Sequence, residues 1–489
     1  MIRRSIAFSM LDKYAGIVLG LGTMAIVSRI LTPEEVGLFM VASAAVILIE
    51  AFRDFGVGAC IIQAPRLTPE LVRTAFTVMA LLSFGFGALL WLTAPPIAAF
   101  YGDPRLTSMI RIATLGFIAA PVSNPLLSLL RRDLAFSKVA AVSIAAATTN
   151  AVATVALAVL GVGAASFVWA SVAAAGVMAA GAIAMRPEPW VFRPTLREWR
   201  HVLPFGAWSS VVTLLGLLFE YMPRFILGRV ISIAAVGLYS RALSLCQMPD
   251  RALLQAVQPV VLPALSARAR DGGDMKEPYF LGLASITALQ WPALVCLALL
   301  AEPLVRLLLG PQWTETVPLI RILALASLCL FPAYLTYPVL VAVGRVRDLA
   351  MSSLIALPVS LAIMLGAAHF GLTAVALSMF ITSPIQVGVG LYFVRRHVHF
   401  GWGEFARAIA PSALATLGAA AVPAALLVAS GGTLGIAAMA LAILGSAIGW
   451  LAALRLARHP LDPEVRLVVA KLGAMLARRR SAPAGGQVE

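Results

Sequence analysis

Apolar runs of roughly 20 or more residues recur along the whole chain, broken by short polar stretches, and each can cross about 30 Å of hydrocarbon as a helix. This pattern predicts an all-α, polytopic membrane protein of about 14 transmembrane helices. They fall at 8–31, 35–61, 70–94, 105–128, 136–160, 163–185, 202–229, 233–262, 278–301, 315–343, 347–368, 371–394, 405–429 and 432–455. The first run contains Asp12 and Lys13, exceeds the apolar core of a signal peptide and leads straight into further spans, so it reads as a retained helix.

Positive charge alternates from loop to loop. Arg3/Arg4, Arg66/Arg73, Arg131/Arg132/Lys138, Arg186 to Arg200, Arg268/Arg270/Lys276, Arg345/Arg347, Arg395/Arg396/Arg407 and the segment from Arg455 lie on one side. The positive-inside bias makes that side cytoplasmic, with both termini there, and the expected location is the bacterial inner membrane. The opposite loops are short, which leaves little room for an extracytoplasmic catalytic domain. Two surface segments accompany the spans. Thr195-Leu196-Arg197-Glu198 has capping-box spacing and predicts an interfacial helix start. A basic amphipathic helix is expected from Asp462 to Arg480, with Leu467, Val468, Leu472 and Met475 on its lipid side.

Composition removes several classes of function. A mean hydropathy of +0.94, with 61% hydrophobic and 12% charged residues, leaves too little polar surface for a water-soluble globule. The net charge of +15 follows from topology and does not call for nucleic acid. Cys60, Cys246, Cys296 and Cys329 are scattered without metal or redox spacing, and His201, His369, His397, His399 and His459 lack ligand spacing. No lysine precedes Ser or Thr in a phosphate-binding loop. Neither a metal site, a cofactor nor a catalytic residue is expected. Energy then comes from an ion gradient (proton or sodium), the membrane potential or downhill consumption of product.

The sequence repeats. Arg29-Ile-Leu-Thr-Pro-Glu-Glu-Val-Gly-Leu-Phe39 returns as Arg229-Val-Ile-Ser-Ile-Ala-Ala-Val-Gly-Leu-Tyr239, and at the same offset Glu50 falls on Asp250. Ile110-Arg111-Ile112 matches Ile320-Arg321-Ile322, Arg132-Asp-Leu-Ala135 matches Arg347-Asp-Leu-Ala350, and Gly161 with Ala164 matches Gly371 with Ala374. Six helices separate the copies, so they share one orientation, related by a pseudo-two-fold along the membrane normal. The organisation read from this is an N-terminal six-helix bundle at 1–186, an interfacial linker at 187–200 and a C-terminal six-helix bundle at 201–396. Two additional helices at 397–455 and a cytoplasmic basic tail at 456–489 complete it.

Ionisable residues inside spans are costly unless they face a cavity or a partner, which makes them candidates for function. Here Lys13, Arg53, Arg224, Arg241 and Arg251 are candidate binders of an anionic cargo, Arg being the natural fork for phosphate oxygens. Glu50, Asp54, Glu220 and Asp250 are candidate coupling or cavity acids. The alternative reading is internal ion pairing, with Glu50, Arg53 and Asp54 on one helix face and Glu220 and Arg224 at i,i+4. Arg111 and Arg321, near outer helix ends, read as snorkelling residues. Pro121 and Pro125 interrupt the fourth helix and Pro332 and Pro338 the tenth, as hinge candidates. Gly16 with Gly20, and Gly445 with Gly449, predict close helix packing.

Beyond these features the chain carries Arg29-Ile-Leu-Thr-Pro-Glu-Glu-Val-Gly37, Phe55-Gly-Val-Gly-Ala-Cys-Ile-Ile-Gln63, Ala98-Ala-Phe-Tyr-Gly-Asp-Pro104 and Leu129-Leu-Arg-Arg-Asp-Leu-Ala-Phe136. Pro204-Phe-Gly206, Gly237-Leu-Tyr-Ser240 and Ala301-Glu-Pro-Leu-Val-Arg-Leu-Leu-Leu-Gly-Pro-Gln-Trp313 follow in order. In this it resembles the polysaccharide-exporter branch of the multidrug/oligosaccharidyl-lipid/polysaccharide exporter superfamily, the Wzx-type flippases of the colanic-acid exporter kind. The resemblance implies a transporter, not an enzyme, that moves undecaprenyl-diphosphate-linked oligosaccharide repeat units to the periplasmic leaflet for exopolysaccharide, lipopolysaccharide or capsule synthesis. Its expected partners are that lipid-linked oligosaccharide, membrane lipids, and a polysaccharide polymerase and glycosyltransferases, with no nucleic acid. Where relatives carry an acidic residue before Gly228-Arg229, this chain has Met222-Pro223-Arg224. A drug or cation antiporter of the same superfamily and a membrane-embedded polymerase or glycosyltransferase are the competing readings.

Overall fold

The computed structural model of the chain describes residues 2–467 apart from Phe55, Asp271, Gly272 and Thr433. Within helices, the side chains of 2–12, 201–215, Phe219, 251–267, 269–270 and Val346 also lie outside the described set. Among the described residues the long regular elements are all helices. They run α1 (Ile2–Ile30), α2 (Pro33–Asp54), α3 (Val57–Gln63), α4 (Pro69–Tyr101), α5 (Arg105–Ala113), α6 (Gly116–Arg132), α7 (Phe136–Val159), α8 (Ala165–Met185) and α9 (Trp199–Val230). Then follow α10 (Ile233–Arg270), α11 (Lys276–Leu299), α12 (Ala301–Leu308), α13 (Thr316–Ser327), α14 (Ala333–Ala342), α15 (Val346–Ala368), α16 (Leu372–Arg395), α17 (Trp402–Ala429) and α18 (Ile436–Leu456).

Twelve helical segments among the described residues are long and apolar enough to cross a membrane, and the chain is a multi-pass membrane protein. Each overlaps one of the predicted spans. The predicted spans 202–229 and 233–262 fall on α9 and α10, continuous helices of 32 and 38 residues whose side chains lie in large part outside the described set.

Local chemistry sets the helix ends. At the start of α2, Thr32 and Glu35 cap each other: the Thr32 N–H donates to Glu35 Oε2 at 2.8 Å and the Glu35 N–H to Thr32 Oγ1 at 3.3 Å. Pro33 takes the first helical position, where a missing N–H costs nothing. Thr68 caps α4 through the Leu71 N–H at 3.1 Å, again with proline next in the chain. The predicted box at Thr195–Glu198 does not form a helix start. Instead the Thr195 and Glu198 N–H groups donate to the Thr77 and Thr74 hydroxyls of α4, and α9 begins at Trp199. Of the predicted C-terminal surface helix, 462–467 is helical and the rest lies outside the described residues.

The chain folds as two compact units. The first comprises Met1–Arg241 with Val305–Glu315 and Met364–Leu372; the second comprises Ala242–Leu304, Thr316–Ile363 and Thr373–Glu489. In the first, α7 packs on α1 and α8, and Val72, Met79, Leu126, Leu129 and Val139 centre a core that Trp190 and Phe192 cover. In the second, α11 packs on α13 and α17, α17 on α18, and Tyr279, Leu283, Leu335, Leu391 and Val394 form the core. Lipid tails are as apolar as leucine, so close packing and hydrogen bonds between helices hold such units together, rather than exclusion of water. The α17–α18 contact shows it: a Cβ added at Gly449 would stand 2.2 Å from Gly418 O, and one at Gly445 2.4 Å from a Val422 methyl. At Gly16 and Gly20, expected to pack in the same way, an added Cβ meets nothing within 4 Å among the described residues.

The repeat is visible in detail. Gly161 and Gly371 follow the ends of α7 and α15 in the left-handed region, at φ 80° and 99°. Asp133 pairs with Arg186 just past α8, and its counterpart Asp348 pairs at 3.0 Å with His397 just past α16. The fourth and tenth spans are both broken, though only one break adjoins its prolines. The tenth breaks at a 3-10 turn, Leu328–Leu330, just before Pro332. The fourth breaks at Thr114–Leu115, ahead of Gly116 and more than a turn before Pro121.

Candidate functional site

Helix α2 brings three of the predicted residues together. Arg53 is buried, its side chain 8% exposed, and lies against the Phe117 ring at 4.9 Å. Its Nη1 donates to Glu50 at 3.0 Å, while Nε and Nη2 donate to Asp54 at 3.0 and 2.9 Å. From α6, Asn124 Nδ2 reaches Asp54 at 3.4 Å. Glu50 and Arg53 lie at one wall of a cavity of about 390 Å³ that Phe39, Ser43, Asn124 and Ser171 also line. Two carboxylates share one guanidinium here, so the local surplus is one negative charge, and the fork of Arg53 is occupied.

The counterpart of Glu50 is held differently. Asp250 is buried in the second unit, where Gln290 Nε2 of α11 donates to it at 2.9 Å and the Tyr334 hydroxyl of α14 also hydrogen-bonds to it. Gln290 is fully buried and its Oε1 has no partner among the described residues. The two repeat-related carboxylates therefore differ in their described partners: Glu50 is bound to an arginine at a cavity, and Asp250 to a neutral amide and a phenol.

The remaining candidates divide by burial. Arg241 is buried, packs over the Trp313 ring at 5.7 Å, and its Nε and Nη2 have no hydrogen-bond partner among the described residues. Two donors of an obligate cation held off water cost free energy unless an anion or water meets them. Arg224 is half-buried over the Tyr221 ring at 4.4 Å. Lys13 and Glu220 are exposed, and the side chain of Arg251 lies outside the described set. Arg111 stacks on exposed Trp91 at 4.2 Å. Sequence reasoning missed Phe117, Asn124, Gln290, Trp313 and Tyr334. Of these only Trp313 carried a signal, as the end of a motif.

The fold is that of known flippases and multidrug transporters. Lipid II flippase MurJ in an inward closed conformation superposes with a TM-score of 0.75 at 13% identity, covering 92% of this chain and 98% of that one. A multidrug resistance MATE family transporter in its inward-facing conformation gives 0.61 at 16% identity, over 80% and 96%. The sequence then narrows the class: residues 26–318, more than half of the chain, match the family described as Polysaccharide biosynthesis protein, and the chain belongs to it. Among its relatives are the lipopolysaccharide biosynthesis protein WzxC of Escherichia coli, 23% identical over 63% of both chains, and the succinoglycan biosynthesis transport protein ExoT of Rhizobium meliloti, 27% identical over 70% of both. The teichuronic acid biosynthesis protein TuaB of Bacillus subtilis is 22% identical, over 60% of this chain and 61% of that one. The match spans less than two thirds of the first and last of these relatives.

Proposed function

We propose that this protein is a transporter that carries an oligosaccharide linked through a diphosphate to a polyprenyl lipid across the bacterial inner membrane, with both termini cytoplasmic. Buried Arg241, with two N–H donors that have no partner among the described residues, carries the reading: a diphosphate is the ligand whose charge and oxygens answer those donors. The relatives' names supply the polysaccharide context. Arg224 and Arg241 receive the diphosphate near the outer end of the path, at depths of about 9 and 12 Å by helical rise. Lys13 offers the exposed cation near the inner end, and Arg251 is assigned to the same path from its sequence position. Arg53 acts by holding Glu50 and Asp54. Movement follows from different affinities in two alternating states. A proton or sodium gradient drives it through Glu50, Glu220 or Asp250, and a polymerase and glycosyltransferases act on either side of the step.

Export measured at matched expression tests this. Arg241→Ala and Arg224→Ala are expected to abolish polysaccharide export while abundance and membrane insertion stay normal; the lysine variants retain partial activity, because charge survives and the planar fork does not. Normal export by the double alanine variant removes the proposal. The surplus negative charge of the Glu50–Arg53–Asp54 group favours a second reading, a cation or drug antiporter. That reading requires efflux of a cationic dye that Glu50→Gln reduces and the Arg241 variants leave unchanged.

A further inference from the structure

The repeated segments Arg29–Phe39 and Arg229–Tyr239 make Pro33 the equivalent of Ile233 and Gly37 the equivalent of Gly237. Within the first compact unit the two copies meet each other, and they meet reciprocally. A Cβ added at Gly37 would lie 1.9 Å from Ile233 O, and one added at Gly237 would lie 2.0 Å from Pro33 O. The first turns of α2 and α10 thus touch backbone to backbone through glycine, and exchanging the copies maps the contact onto itself. Such an isologous contact is what a two-fold axis generates. Val36 and Val236, equivalents again, are both fully buried beside the glycines.

A second set of bonds closes the neighbouring end of α1. Ser28 O accepts from Trp313 Nε1 and Gln312 Nε2, each at 2.6 Å, and Arg29 Nη2 donates to Leu307 O. These residues belong to the loops opposite the basic ones.

We propose that the Gly37–Gly237 crossing is the external gate of the transporter in its closed state, and that the two repeat copies separate there when the path opens outward. This rests on the alternating-access reading above. The glycines act because any side chain at either position holds the first turns of α2 and α10 apart. Opening also requires the bonds from Trp313 and Gln312 to Ser28 O to break, which ties the gate to the segment that carries the ring beneath Arg241.

The test uses the full chain in right-side-out membrane vesicles, with the four native cysteines replaced by alanine and Val236→Cys as the sole thiol. A membrane-impermeant maleimide is expected to label it slowly. Gly37→Ala or Gly237→Ala should each raise the rate roughly ten- to a hundredfold, the population shift that one methyl forced into a packed contact brings. The double variant should match the single ones, because a separation forced by one methyl already makes room for the other. Gly116→Ala, where an added Cβ meets nothing within 4 Å, should leave the rate unchanged. Unchanged labelling in the Gly37 and Gly237 variants, additive rates in the double variant, or an equal rise with Gly116→Ala would overturn the gate. Labelling reports the gate and export reports the cargo. A chain that labels as expected but exports no polysaccharide keeps the gate and loses the proposed cargo.

Discussion

Both ring nitrogens of His459, just beyond α18, are engaged. The Leu461 N–H donates to Nδ1 at 3.0 Å, so the neutral ring carries its proton on Nε2 and donates it to Ser412 Oγ, also at 3.0 Å. A second proton would aim an N–H at an N–H in a buried position, and burial holds the pKa below its ordinary value of 6.5. Because the folded value is depressed, the unfolded chain takes up the extra proton first. The contribution of His459 to stability is constant above about pH 7 and falls as pH drops from about 6.5 toward the folded value. Thermal unfolding in detergent should therefore show a falling midpoint between about pH 7 and about pH 5. His459→Gln, which cannot gain the proton, should flatten part of that slope; an unchanged slope would show that other groups supply it.

At the scale of the helices, the turns that follow the fifth helix of each repeat copy are the positions where geometry demands a particular residue. Gly161 and Gly371 hold positive φ, and a Cβ there costs about 1–2 kcal/mol. Gly161→Ala and Gly371→Ala should each lower stability by about that amount, whereas Gly16→Ala, in a helix with open space around it, should leave stability unchanged or raise it by up to about 1 kcal/mol. Melting temperatures of the purified variants decide this, and equal effects at all three positions would contradict it. Helix positions were legible in the sequence because runs of this length have no alternative in lipid. Less legible were the segments whose local signal lost to a tertiary one: Thr195 has the right spacing for a cap, yet the Thr74 and Thr77 hydroxyls of α4 capture the backbone there. Gly445 and Gly449 of α18 have the same spacing as Gly16 and Gly20 of α1, and only the neighbouring helix distinguishes them.

Across the whole molecule, the sequence displayed the charged candidates because a carboxylate or guanidinium stands out in an apolar span. It concealed their partners. Gln290 is 40 residues from Asp250, and neutral amides, phenols and indoles scarcely disturb a hydropathy profile. For the proposed transport, these partners bear on which acid couples to an ion gradient. Glu50 and Asp250 occupy equivalent places in the two repeat copies, but Arg53 pairs with the first, while among the described residues the partners of Asp250 are the Gln290 amide and the Tyr334 hydroxyl. On the proposed transport reading, the acid held by neutral groups is the better placed to bind a coupling proton or sodium ion than the one already bound to an arginine. In proteoliposomes carrying a fluorescent lipid-diphosphate probe, Asp250→Asn is expected to remove acceleration of transport by an imposed ion gradient. The asparagine still accepts from Gln290 Nε2, so folding and gradient-free exchange of the probe should persist. Glu50→Gln leaves Arg53 its bonds to Asp54 and should retain most of the gradient response. A full response in Asp250→Asn, with its loss in Glu50→Gln, would move the coupling site to the first unit and its cavity.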